Sequence, residues 1–261
     1  VAVRAFDAEG KADDLGLLAA LDWMLQPGSP SGLPPDPAAA PDLLNLSWTL
    51  ENGADDRFRP ALQALHQAEI LVLCAAGNLE DLREAWPRLL APAAYPEAFA
   101  VGALDRADRP WIFGRAGPGF WGGPKPALLA PGEDVWSSLP GGDLGPISGS
   151  SMATPLATGA AAVLWGQTPW LRTTELTALL MAGAGDLGPP GPDADSGFGR
   201  LNLDAALDLA LRAGRLEGRL SQAVEGDPAA DGAPLVGARL RLRGEGWPPA
   251  WETALGQGWS D

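Results

Sequence analysis

The sequence predicts an α/β fold: a mainly parallel sheet with helices on both faces, followed by a short β appendage. The first observation is that the chain contains short runs made entirely of apolar residues, and the second is that these runs alternate with segments whose apolar residues recur at helical spacing. This alternation is typical of a parallel sheet covered on both faces. The third observation is that period-two alternation dominates only after about residue 215, which predicts the β appendage.

The first elements are a strand, a turn and a helix. Residues 1–6 (VAVRAF) alternate like a strand, and residues 7–11 (DAEGK) have the composition of a turn. The helix is predicted from apolar residues at helical spacing, which are Leu15, Leu18, Leu21 and Leu25. Residues 27–41 contain six prolines and two glycines, so we expect an exposed loop there.

Strands and helices then alternate along the rest of the predicted α/β domain. The predicted strands are 43–47, 70–75, 98–103 and 127–130. The predicted helices are 59–68, 154–165, 173–181 and 203–213.

The character of the chain changes near residue 214. Residues 216–220 and 238–243 alternate with period two and are separated by the turn-rich segment 226–234. We therefore divide the chain into an α/β domain over 1–213 and a separate β module over 214–261.

Composition narrows the range of partners. The formal net charge of −15 argues against nucleic acid and anionic membrane surfaces, since both favour a basic protein face. No apolar run approaches the ~20 residues needed to span a bilayer, and residues 1–25 lack the features of a signal peptide. The single cysteine, Cys74, lies in the apolar run 70–76 and is predicted to be a buried thiol.

Three polar points follow apolar strands, where open α/β sheets place their functional sites. They are the segment 45–47, Asn78, and a Gly-Ser-Ser loop that leads into the small and apolar segment 153–165. Ser151 would lie at a helix N-terminus, where backbone amides stabilise a developing anion, and Asn78 could donate its amide to an oxyanion. The alternatives at this point are a serine that only caps a helix and an asparagine that only forms a turn.

Six segments, in order and within residues 1–212, resemble motifs of the subtilases, the subtilisin-like serine proteases. They are 45–47 (NLS), 75–78 (AAGN), 95–102 (YPEAFAVG), 130–132 (APG), 149–155 (GSSMATP) and 197–206 (GFGRLNLDAA). The tail resembles the start of a carboxypeptidase-regulatory-like β-sandwich, and this resemblance implies that residues 214–261 are an incomplete β-sandwich-like module.

This resemblance implies that Ser151 is the nucleophile of a serine endopeptidase and that Asn78 stabilises the oxyanion together with the Ser151 amide. It also implies that an extended peptide or protein substrate binds along two strand edges and one pocket wall. The implied substrate-binding residues are Gly10, Lys11, Ala12, Ser47, Trp48, Thr49, Ala75, Ala76 and Gly77. An extracellular or cell-envelope location follows from the resemblance alone.

The chain also departs from the subtilase pattern. Ser150 replaces the usual threonine, Leu156 replaces a histidine that is structural in the family, and Thr49 replaces a glycine, which we expect to narrow the cleft. No cofactor or metal site is evident in the sequence. Calcium is implied by the resemblance only, and Ala127 stands where one weak site of the family has an acidic residue.

The sequence lacks the aspartate and histidine motifs that complete the subtilase triad. Its one histidine, His66, falls on a predicted peripheral helix and is expected to be a surface residue. Either an upstream segment carries the aspartate and histidine, or the protein is a catalytically inactive peptide-binding or scaffold domain. We expect the first, because Val1 opens inside a subtilase domain and the tail stops before its module closes.

Overall fold

We describe the fold from a computed structural model of the chain. The described residues are 2–7, 10–28, 34–79, 89–118 and 124–212, together with the backbone of 221–222 and 233–234.

A four-stranded parallel sheet forms the centre of the fold. The strands of the protein are β1 (Leu43–Leu46), β2 (Leu71–Ala75), β3 (Phe99–Leu104), β4 (Gly117–Pro118), β5 (Pro124–Lys125), β6 (Leu128–Pro131), β7 (Val135–Ser138), β8 (Leu144–Ile147), β9 (Ser221–Gln222) and β10 (Ala233–Pro234). The central sheet has the order β1-β2-β3-β6, and all three neighbouring pairs are parallel. Every residue of β2 and β3 is buried, as expected for strands covered on both faces.

Helices pack on both faces of this sheet. They are α1 (Asp14–Leu25), α2 (Arg59–Gln67), α3 (Ser150–Gln167), α4 (Thr173–Gly183) and α5 (Leu203–Arg212), and two short 3₁₀ helices cover Pro37–Ala39 and Pro140–Gly142. Side chains alternate along β2, so that Val72 and Cys74 join the core formed with α1 and α2. Leu71 and Leu73 join the second core, formed with α3, α4 and α5. The predicted α/β class, with a parallel sheet flanked by helices, is confirmed.

The predicted strand over residues 1–6 is wrong for the part that can be described. Residues 2–7 form no ladder with any strand of the described chain, and Val3 and Phe6 are exposed. Alternation shows which side chains face the same way, but a strand also needs the hydrogen-bonding edge of a neighbour. The edge of β1 opposite β2 has no partner among the described strands.

The helix α1 forms where it is predicted, and three of its four predicted core residues, Leu18, Leu21 and Leu25, lie against the core. Leu17, Leu21 and Met24 are buried, whereas Leu15 is 78% exposed. Several phases fit the helical period in a segment so rich in leucine, and contact with the core selects one of them. Asp13 caps the helix by accepting a hydrogen bond from the Gly16 amide at 2.8 Å.

The sequence did not predict the antiparallel hairpin of β7 and β8, which precedes the serine loop. Its turn, Pro140–Gly142, combines proline with two glycines, and this signal could have indicated a hairpin. The two strands predicted over 216–220 and 238–243 lie outside the described residues. In the tail, the described backbone shows β9 pairing antiparallel with β10. The domain boundary at residue 213 stays a prediction.

Candidate active site

The loop before α3 places Ser151 in the first turn of that helix. Ser150 is the first helical residue, and Gly149 precedes it with φ of 150° and donates its N–H to the Gly132 carbonyl at 2.7 Å. A Cβ at Gly149 would lie 2.9 Å from Asn78 Nδ2, so both the backbone and the available space require glycine there. First-turn amides such as that of Ser151 have no carbonyl acceptor within their own helix and can bind an anion.

The side chain of Asn78 is held in one orientation by Ser150. Asn78 Oδ1 accepts hydrogen bonds from the Ser150 amide at 2.9 Å and from the Ser150 hydroxyl at 3.1 Å. Because the carboxamide is planar, its NH₂ group points away from Ser150. Within the described residues that group donates no hydrogen bond, so an N–H of Asn78 Nδ2 is available to a bound acceptor.

Ser150 also fixes the backbone next to Asn78. Its hydroxyl is fully buried and accepts a hydrogen bond from the Gly77 amide at 3.0 Å. One hydroxyl therefore joins the end of β2, the Asn78 amide and the start of α3. Sequence reasoning treated Ser150 only as a mild replacement for threonine and missed this role.

A reciprocal pair of hydrogen bonds joins Ser151 to the end of β1. The Ser47 hydroxyl donates to the Ser151 carbonyl at 2.8 Å, and the Ser151 hydroxyl donates to the Ser47 carbonyl at 3.1 Å. Asn45 Nδ2 in turn donates to the Ser47 hydroxyl at 3.0 Å. The three polar points identified in the sequence therefore lie together at the carboxyl ends of β1 and β2.

The other residues expected to bind substrate differ in how deeply they are buried. Ala75 and Ala76 are fully buried, Gly77 is buried, and Thr49 is half-buried. The ring of Trp48 packs edge-on against Phe58 with centroids 5.4 Å apart.

The segment formed by Gly10, Lys11 and Ala12 is exposed, and its described hydrogen bonds go to Asp7. None of the described contacts joins this segment to Ser151. Its part in substrate binding stays a prediction.

The Ser151 hydroxyl contacts no general base among the residues that the structure describes. Its hydrogen-bond partner is a backbone carbonyl, which cannot accept the serine proton. His66 is exposed on α2, and α2 packs on the face of the sheet opposite α3. The expectation that His66 is a surface residue is confirmed.

Other reactive groups in the described chain do not add to this site. Cys74 is fully buried, as predicted, and burial raises the pKa of its thiol to about 12, so it stays neutral near pH 7. Among the residues that the structure describes, no group of three or more His, Cys, Asp or Glu side chains is placed to hold a metal ion.

Comparison with known proteins places the chain beside serine proteases. The model of the subtilase family, described as Peptidase_S8, matches residues 1–199. Bacillopeptidase F of Bacillus subtilis is 35% identical over 234 residues, which cover 87% of this chain and 16% of that protein. Subtilisin of Bacillus pumilus is 28% identical over 205 residues, which cover 78% of this chain and 66% of that protein.

Solved protease structures have the same fold. The patellamide maturation protease PatA aligns with a TM-score of 0.61 and 27% identity, covering 80% of this chain and 72% of that one. The prenylagaramide maturation protease PagA aligns with a TM-score of 0.59 and 27% identity, covering 78% of this chain and 70% of that one.

The matched region is only a small part of some relatives. It spans 16% of bacillopeptidase F and 18% of the cell wall-associated protease of Bacillus subtilis. Of the helices that the structure describes, none is long and apolar enough to cross a membrane. Because the family model matches most of its length and serine proteases are among its relatives, the chain belongs to the subtilase family.

Proposed function

We propose that this chain supplies the nucleophile and the oxyanion site of a subtilisin-type serine endopeptidase, and that an upstream segment supplies the aspartate and histidine. The observation that carries the proposal is the orientation of Asn78. Ser150 holds Asn78 Oδ1, which turns Nδ2 away from Ser150, and Ser151 follows at the start of α3. A serine that only capped a helix would not need an oriented amide donor beside it.

The proposed reaction begins with attack of Ser151 Oγ on the scissile carbonyl carbon. The serine proton passes to the histidine, and the negative charge on the carbonyl oxygen is stabilised by Asn78 Nδ2 and the Ser151 amide. The C–N bond then breaks as the histidine gives its proton to the leaving amine. Water hydrolyses the acyl-enzyme and restores Ser151.

The surface of α3 supports the requirement for a further segment. The helix contains no charged residue, yet Leu156 is 43% exposed and Val163 is 49% exposed. Gly159 and Gly166, which are also exposed, have open space where a Cβ would lie. An uncharged helix face that exposes large apolar side chains usually packs against further protein, so we propose that the upstream segment covers this face.

The alternative function is a catalytically inactive peptide-binding or scaffold domain. The observation in its favour is that the Ser151 hydroxyl donates to the Ser47 carbonyl, where it is not activated. In this alternative the strand ends at Ser47 and Gly77 would bind an extended peptide without cleaving it.

The location and substrate class also belong to this proposal. We propose an extracellular or cell-envelope protease, in line with the name of the cell wall-associated relative. Extended peptide would bind along Ser47 to Thr49 and against Ala75 to Gly77. Calcium binding remains an expectation from the family resemblance, and no step above uses it.

The decisive experiment tests the chain with and without the upstream segment. The chain is assayed against an unstructured peptide and a fluorophosphonate probe, alone and with the segment added in trans, with Ser151→Ala and His66→Ala as controls. We expect the chain alone to stay silent, since loss of the histidine in subtilisin itself costs about 10⁶ in kcat, a value taken from that relative. The segment should restore labelling that Ser151→Ala abolishes and His66→Ala leaves unchanged.

Two outcomes would contradict the proposal. Robust Ser151-dependent cleavage by the chain alone would show that no upstream base is needed and would direct attention to His66. Silence after addition of the segment, with peptide binding retained, would establish the scaffold alternative.

A further inference from the structure

The backbone of the oxyanion asparagine is held by a segment that the family motifs do not include. Gly114 forms an antiparallel bridge with Asn78, and the Phe113 carbonyl accepts the Leu79 amide at 2.7 Å. The Arg115 amide donates to the Gly77 carbonyl at 3.1 Å. Residues 113–115 therefore fix the peptide groups on both sides of Asn78.

The side chain of Arg115 also contacts the Asn78 backbone. Its Nε donates to the Asn78 carbonyl at 2.9 Å. The peptide group that follows Asn78 is then held at its oxygen by Arg115 and at its nitrogen by Phe113. Because a charged donor forms stronger hydrogen bonds than a neutral one, this contact restricts the Asn78 backbone more than an amide donor would.

The space beside Gly77 is shaped by the same side chain. A Cβ at Gly77 would lie 3.0 Å from Arg115 Cδ and 3.2 Å from Leu90 Cδ1, and the φ of 101° also favours glycine. Gly77 thus lets the arginine stem pass close to the main chain and reach the Asn78 carbonyl.

We infer that Arg115 is a positioning residue of the oxyanion site, which holds the Asn78 backbone while Ser150 orients its amide. This inference rests on the proposed function. An oxyanion donor contributes only if it is in place before charge develops, and small displacements of the donor lower kcat more than they raise KM. The positive guanidinium beside the Asn78 peptide also favours negative charge at the site.

The experiment uses the protein supplied with its aspartate- and histidine-bearing segment. Arg115→Met removes the charge and the hydrogen bond, Arg115→Lys keeps the charge, and Arg212→Met removes an exposed arginine from α5 as a matched control. For Arg115→Met we expect kcat to fall about tenfold with KM changed less than about twofold. Arg115→Lys should recover part of the loss, and Arg212→Met should behave like the unmodified protein.

A second readout separates positioning from a general loss of structure. A peptide boronic acid forms a tetrahedral adduct with the serine, so its inhibition constant should rise about as much as kcat falls in Arg115→Met. The affinity of a non-cleavable peptide should change little. The thermal midpoint identifies any variant that fails to fold, in which case Arg115→Lys carries the test.

The outcomes distinguish this inference from the proposed function. If the unmodified protein gives no Ser151-dependent labelling, the proposed function fails and the positioning role of Arg115 in catalysis fails with it. If the unmodified protein is active and Arg115→Met keeps its kcat and its affinity for the boronic acid, only the inference about Arg115 is overturned.

Discussion

At the scale of single residues, Ser150 determines how the side-chain amide of Asn78 is oriented. Its hydroxyl accepts from the Gly77 amide and donates to Asn78 Oδ1, and its own amide donates to the same oxygen. Without the hydroxyl, Asn78 loses one of two donors and the Gly77 amide loses its acceptor. The amide group of Asn78 would then sample other orientations.

The first prediction concerns this hydroxyl. If the proposed function holds, then in the protein supplied with the proposed upstream segment Ser150→Ala should lower kcat by roughly tenfold to a hundredfold with little change in KM, because Asn78 would no longer be held toward the transition state. Ser150→Thr keeps the hydroxyl and carries the residue usual in subtilases, so its kcat should stay near that of the unmodified protein. Steady-state kinetics of both variants test this, and full activity in Ser150→Ala would refute it.

At the scale of elements, a buried lysine connects the strand β5 to the loop that precedes β3. Lys125 is buried, and its Nζ donates to the carbonyls of Tyr95 at 3.1 Å and Ala98 at 2.5 Å. Burial lowers the pKa of Lys125 to about 8. The folded protein therefore holds this proton less tightly than the unfolded chain does.

The second prediction follows from the sign of that shift. Between pH 8 and about 10.5 the unfolded chain binds more protons at Lys125 than the folded protein, so its contribution to the free energy of unfolding rises with pH. Across this window the free energy of unfolding of the unmodified chain should therefore rise relative to that of Lys125→Met, by up to about 3 kcal/mol. Urea unfolding at a series of pH values measures it.

Two features of the chain let this comparison isolate the contribution of Lys125 from those of other titrating groups. Cys74 and Tyr95, whose pKa values are each raised to about 12 with burial as the main cause, occur in both proteins and largely cancel in the difference. Lys11 is exposed, so Lys11→Met is the matched control for the loss of one lysine, and the two variants are compared at each pH. A difference that stays flat from pH 8 to 10.5 would show that Lys125 keeps its ordinary affinity for the proton.

At the scale of the whole molecule, the described residues leave one face of α3 uncovered. The sheet and the helices α4 and α5 bury its other side, through residues such as Ala153 and Leu164. The exposed side carries Leu156 and Val163 and no charge. The α3 helix therefore has the surface of an element that packs against further protein.

The third prediction tests this face. Leu156→Lys combined with Val163→Lys should change the free energy of unfolding of the isolated chain by no more than about 1 kcal/mol, because both side chains reach the surface and a lysine stem can cover the same apolar area. The same double variant should lose the labelling restored by the upstream segment. Leu211→Lys, a change at an equally apolar and 78% exposed residue of α5, is the control and should keep it.

Titration of the upstream segment against labelling gives the measurement. Normal restoration of labelling in the double variant would show that the segment does not cover this face of α3. Loss of labelling in Leu211→Lys as well would point to a general effect of added charge.

Local pattern was sufficient to predict most elements of the fold. The wholly apolar runs of β2 and β3 marked strands covered on both faces, and the helices α2, α4 and α5 formed within a few residues of their predicted positions. Residues 2–6 failed as a strand because alternation does not supply a neighbouring edge. The buried face of α1 was predicted in part, since Leu21 is buried and Leu15 is exposed, because leucine spacing allows more than one phase.

The sequence by itself determined the α/β class, the family motifs and the candidate positions Ser151 and Asn78, because those signals lie in short contiguous segments. Only the tertiary structure decided how they meet. Ser150 lies 72 residues from Asn78 and 73 from Gly77, and Arg115 lies 37 residues from Asn78, so no local pattern could join them. Their hydrogen bonds exist because parallel strands place their carboxyl ends, and the start of α3, at one edge of the sheet.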